Sequence, residues 1–101
     1  MLAFFSIVPM GEGLSLGPQV AEAIKIVEDS GLNHQVTAMG TTVEGDWDEV
    51  MGVIKKCFDA MHVHSERVTC VVKIDDHTGR SGRIGGKVAS VETALGHDVR
   101  K

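Results

Sequence analysis

Basic residues are few in this 101-residue chain: ten Lys and Arg stand against fourteen Asp and Glu, a net charge of −4. A nucleic-acid partner needs a basic footprint, so that class is excluded. Cysteine is scarce too. Cys57 and Cys70 are the only two, each inside an apolar pattern, and they read as buried thiols of a reducing compartment rather than a disulfide framework. Long apolar runs are missing. Leu2 to Val8 lacks a basic leader and is closed by Pro9-Met10-Gly11, so it is no signal peptide. No run reaches the length needed to cross a membrane. The expected location is the cytoplasm. What is present is 43% hydrophobic and 24% charged, a globular rather than a disordered composition. A chain of this size buries about two-thirds of its unfolded surface, enough for a core without disulfides.

The periodicity gives an order of elements. Leu2 to Val8 is apolar on both alternating sets, Ala3, Phe5 and Ile7 against Leu2, Phe4, Ser6 and Val8, and predicts a central strand that Pro9 closes. A glycine-rich loop from Met10 to Gly17 follows. Val20, Ala23, Ile24 and Val27 make one stripe of a helix over Leu16 to Ser30. Ser15 or Gly17 could cap it, and Gly31 stops it. His34 to Met39 and Thr41 to Asp46 form a hairpin turning at Gly40. Asp46 with Glu49 has capping-box spacing for a second helix to His62, with Trp47, Val50, Met51, Ile54, Phe58 and Met61 as its stripe and Cys57 adjoining. Arg67 to Asp76 alternates Val68, Cys70, Val72 and Ile74 against Thr69, Val71, Lys73 and Asp75. After a loop over His77 to Gly86, Lys87 to Leu95 is a third helix with Val88, Val91 and Leu95 on one side. The order β-α-β-β-α-β plus a helix is the split βαβ, ferredoxin-like arrangement, an α+β fold. One such domain spans 1–96, with 97–101 a frayed tail. Both crossover helices fall on one sheet face. The other face, with Phe4, Ser6, Val71 and Lys73, predicts association with another copy.

Several groups could carry chemistry. The hairpin is rich in hydroxyls: Thr37, Thr41 and Thr42, beside Glu44. Threonines are also common on edge strands, so the run alone decides nothing. Asp75 and Asp76 could bind a cation, but adjacent strand residues point to opposite faces. His77 with either aspartate could form an acid/base pair of a small hydrolase, though no serine or cysteine stands in a recognisable nucleophile setting. His62 and His64 lack further ligands at zinc spacing. Gly79 to Lys87 fails the Walker pattern at Ser81 and Val88. Arg80, Arg83 and Lys87 could still hold an anion near the start of the third helix, as in a regulatory oligomer.

Taken in order, Ser6-Ile7-Val8-Pro9-Met10-Gly11, Met39-Gly40-Thr41, Glu44-Gly45-Asp46-Trp47-Asp48-Glu49-Val50, and Arg67-Val68 leading to Lys73-Ile74-Asp75-Asp76 resemble the small thiamine-binding proteins with a ferredoxin-like fold. The likeness runs from Phe5 to about Leu95. It departs at His77, where the family often has arginine, and at Gly17-Pro18-Gln19, where it often has a serine and an aromatic. The resemblance implies non-catalytic binding of thiamine or its hydroxymethylpyrimidine half, with no cofactor or metal, in a homodimer or homotetramer. Such a ligand needs an apolar wall, hydroxyls and a nearby carboxylate. Phe4 or Phe5, Ser6, Met39, Thr41, Thr42, Glu44 and Asp75 supply those types.

Overall fold

The computed structural model describes residues 1–11, 13 and 16–101. Its elements are β1 (Leu2–Met10), α1 (Leu16–Asp29), β2 (Asn33–Thr37), β3 (Gly40–Glu44), α2 (Trp47–His62), β4 (Arg67–Asp75) and α3 (Arg83–Leu95). The four strands form one antiparallel sheet in the order β2-β3-β1-β4. This is the ferredoxin-like arrangement expected from the periodicity, with β1 central as its two-sided apolar pattern requires.

One sheet face carries Ala3, Phe5, Ile7 and Val43, which pack with Ala23 and Val27 of α1 and with Val50, Val53, Ile54, Cys57 and Met61 of α2. The stripe of α2 is therefore rotated from the expected one. Trp47, in its first turn, is 59% exposed, while Val53 and Cys57 are buried. The helix is anchored by a full capping box: Asp46 accepts the Glu49 N–H at 2.8 Å, and Glu49 accepts the Asp46 N–H at 3.0 Å. Gly31 takes a left-handed φ of 74° just past α1, as expected of a helix stop. Of the two caps considered for α1, Ser15 lies outside the described residues.

Three boundaries differ from the sequence expectation. β1 does not stop before Pro9: it continues to Met10 along β4, pairing Pro9 with Val68 and Met10 with Arg67. β3 pairs only with Leu2 to Phe5, so one edge of β1 has no ladder there and a residue without an N–H is tolerated. The hairpin turns at Ala38-Met39, and Gly40 already belongs to β3, paired with Thr37. Gly40 is required for another reason. A Cβ there would lie 2.6 Å from Phe4 Cζ and 2.7 Å from the Phe5 carbonyl oxygen, so the ring of Phe4 covers the glycine.

The third difference is α3, which begins at Arg83 rather than Lys87. It lies on the sheet face opposite α1 and α2, against β3 and β2, and so covers part of the face expected to be open. Its own apolar stripe is not buried: Val91 is 51% and Leu95 53% exposed. Beyond Gly96 the chain turns back, and Glu92 accepts the Val99 N–H at 2.8 Å.

Candidate functional site

α1 and the β2–β3 hairpin enclose a cleft of about 210 Å³ against the middle of β1. Its walls include Ile7, Val20, Ala23, Ile24 and Val36, with Phe5, Ser6, Thr37, Met39, Gly40 and Thr41 on the strand side. Thr41 is the one polar residue in the buried set among the described residues. It sits there because its register partner is Phe5, so it shares the helix-facing side of the sheet. The rim is apolar yet open to solvent: Val20 is 45%, Val36 44% and Met39 78% exposed. Thr37 holds the turn, donating to the Gly40 carbonyl and accepting the Met39 N–H.

The opposite face holds a second hollow, of about 410 Å³, lined by Leu2, Phe4, Thr42, Lys73, Asp75, Asp76 and Lys87 among others. Beside it, Asp75 receives a two-pronged contact from the Arg83 guanidinium at 2.9 and 3.1 Å, and Lys87 Nζ donates to the same carboxylate at 2.7 Å. The hydrogen bonds from Arg83 first and Lys87 second hold the Asp75 carboxyl well below the usual carboxylate range, and the Asp75 contact raises the Arg83 guanidinium further. Glu44 accepts the Arg83 backbone N–H with both oxygens, at 2.9 and 3.1 Å. Gly82 precedes α3 in a left-handed conformation and brings no capping side chain. The first turn of α3 is thus capped by a carboxylate from β3, which also suits its positive end.

The seven residues expected to form one site therefore divide. Ser6, Met39 and Thr41 line the first cleft. Phe4, Thr42 and Asp75 line the second, on the other side of the sheet, and Glu44 faces α3 beside it. A period of two sends Thr41 and Thr42 to opposite faces. Both candidate carboxylates already have partners in their own chain. Of the anion candidates, Arg83 and Lys87 are engaged by Asp75, and Arg80 is exposed. Val20, Ile24, Val36 and Thr37 were not among the expected site residues. The signal for Val20 and Ile24 was present in the α1 stripe, where it read as core.

His62 and His64 serve structure. His62 Nδ1 lies 3.0 Å from the Ser65 carbonyl, and His64 Nε2 meets Glu22 at 2.8 Å, tying the end of α2 to α1. Among the described residues no cluster of three or more His, Cys, Asp or Glu could hold a metal, and no helix is long and apolar enough to cross a membrane.

Comparison with known proteins places this geometry in a family. The profile of the thiamine-binding proteins matches residues 3–92. A UPF0045 protein of Mycobacterium bovis is 43% identical over 96 residues, covering 94% of each chain. The crystal structure of a hypothetical protein from Methanocaldococcus jannaschii superposes with a TM-score of 0.81 at 31% identity, covering 89% of this chain and 93% of that one. A candidate thiamine biosynthesis/salvage protein of Thermotoga maritima superposes with a TM-score of 0.78 at 26% identity, over 89% and 96% of the two chains. With a match over most of its length in sequence and in fold, the chain belongs to the thiamine-binding protein family.

Proposed function

We propose that this protein binds thiamine or its hydroxymethylpyrimidine half, without catalysis, in the cleft between α1 and the hairpin. One observation carries the reading: a buried hydroxyl, Thr41, stands inside a cleft whose apolar rim is open to solvent. A flat aminopyrimidine needs apolar walls and a few fixed hydrogen-bonding groups. Thr37, Thr41 and the backbone of Ser6 and the hairpin supply those groups. The family, and the thiamine biosynthesis/salvage description of the Thermotoga maritima relative, support the same ligand class. In this reading Glu44 and Asp75 hold α3 and do not meet the ligand.

The hydrolase alternative is weakened by Asp75, whose carboxyl is held ionised by Arg83 and Lys87 and is a poor proton acceptor at neutral pH. The anion-sensing alternative is weakened because the same two cations are already engaged by Asp75. A cytoplasmic location and self-association over the part of the second sheet face that α3 leaves uncovered, where Val71 is 64% exposed, belong to the same proposal.

Calorimetry with thiamine, its phosphates and free hydroxymethylpyrimidine tests it. Binding of at least one of them is expected. Thr41→Val keeps the shape and removes the hydroxyl, so affinity should fall roughly two- to tenfold, while Glu44→Ala and Asp75→Asn leave it unchanged. No binding of any thiamine compound would overturn the function. Tight binding that ignores Thr41 but collapses in the carboxylate variants would move the site to the opposite face.

A further inference from the structure

The cleft between α1 and the hairpin draws its walls from two stretches of chain, Phe5 to Ile24 and Val36 to Thr41. Together they hold two charged residues, Glu12 and Glu22, both acidic. Among the described residues, every side chain that lines the cleft is uncharged. The cations lie elsewhere. Arg67 and Lys73 alternate along β4 with Val68 and Cys70, which pack against the core. The pleat therefore turns Arg67 and Lys73 to the opposite face, where Arg83 and Lys87 meet Asp75. Lys25 of α1 is exposed and pairs with Asp29 at 3.3 Å. His34, on β2, lies 2.9 Å from the Leu32 carbonyl and is no part of the lining. The first turn of α1 has backbone N–H groups of the kind that favour an anion, but Pro18 there has none to give.

We infer that the cleft selects its ligand by charge: it takes the free alcohol, neutral or cationic, and rejects the phosphorylated forms of the same compounds. The inference rests on the proposed function of this cleft and narrows the class of compound held there. A phosphate drawn between α1 and the hairpin gives up water and finds no cation in return, and a buried charge without a partner is costly. The net charge of −4 opposes an anion from further away. A thiazolium cation at the mouth meets no such repulsion.

The rejection depends on where the phosphate hangs. On the hydroxymethyl group of the pyrimidine it is one carbon from the ring and must enter with it. On thiamine it hangs from the far side of the thiazolium and can stay in water beyond the rim, where Val20 is 45% and Val36 44% exposed and salt screens what repulsion is left. A compound held as its free alcohol is one that no phosphoryl transfer has yet modified, so the protein stands before such a step.

Calorimetry on the full chain, at one ionic strength, tests this with three compounds: hydroxymethylpyrimidine, its monophosphate, and its acetate ester, which adds bulk at the same oxygen without charge. The monophosphate should bind roughly a hundredfold more weakly than the free alcohol, and the ester should stay closer to the alcohol than to the phosphate. Thiamine diphosphate should bind about two- to tenfold more weakly than thiamine, with the gap closing as salt is added. Val20→Lys sets a cation on the half-exposed rim and should narrow the ratio between alcohol and monophosphate roughly tenfold. A monophosphate that binds as tightly as the alcohol would overturn the inference and leave the cleft as the thiamine site. An ester that loses as much affinity as the monophosphate would also overturn it, since shape and not charge would then decide. If none of these compounds binds, the proposed function fails and the inference falls with it. Should Val20→Lys misfold, the three affinities of the unmodified protein decide.

Discussion

Gly40 shows how a single residue is decided by its neighbours. Its place between two threonine-rich stretches suggested a turn, but the structure uses it to let the Phe4 ring and the Phe5 carbonyl approach. Gly40→Ala should cost about 1–3 kcal/mol, the range for overpacking a fitted site, measured by urea unfolding. Cys57 makes a second case. Burial, with a smaller contribution from Cys70, pushes its thiol up to about 11, so at neutral pH little thiolate exists to react. Labelling of native protein should modify Cys70 first, because it is only half-buried, and reach Cys57 on the timescale of unfolding. Equal fast labelling of both would contradict the packing of α2 on the sheet. Burial of Cys57 was legible in sequence from its apolar setting; the expected burial of Cys70 was not met, since that strand lies at the edge of the sheet and leaves Cys70 partly exposed.

Among the elements, α1, α2 and β4 were readable because each carries its own signal: a stripe, a capping box, an alternation. α3 was readable only in part. Its first turn is stabilised by Glu44, a residue 39 positions away in sequence, and no local pattern reveals a cap supplied by another strand. Glu44→Ala should therefore cost about 1 kcal/mol, as loss of a helix cap does, seen as faster amide exchange at the start of α3 with the core unaffected. The Arg83–Asp75–Lys87 contact gives a pH dependence whose sign follows from the lowered Asp75 value. Its stabilisation is fully present above the ordinary carboxylate range and is lost as pH falls through the depressed folded value. Asp75→Asn should remove that part of the acid limb, so the stability curves of the two proteins should converge at low pH. Parallel curves down to strong acid would show that the ion pair does not hold α3.

For the molecule as a whole, the exposed stripe of α3 and the bare edge of β4 both point outward. Val91 and Leu95 on α3 and Val71 on the same sheet face leave apolar surface that a monomer would keep in water. Sedimentation equilibrium should find an oligomer, and a monomer at tens of micromolar would sink that expectation. If copies do assemble, Val71→Glu should weaken the association while leaving the hairpin cleft, on the other side of the sheet, able to bind.

By itself, the sequence determined the class and order of elements, because periods of two and 3.6 are local properties of the chain. It also carried the family, through short motifs at set spacings. The tertiary structure alone decided which residues meet. Thr41 and Thr42 are adjacent, yet a pleated strand sends them into different clefts. Glu44, Asp75 and Arg83 are distant, yet strand register and the return of α3 bring them within hydrogen-bonding distance. Those contacts depend on register and on which face a helix covers, and both are fixed only when the whole sheet has formed.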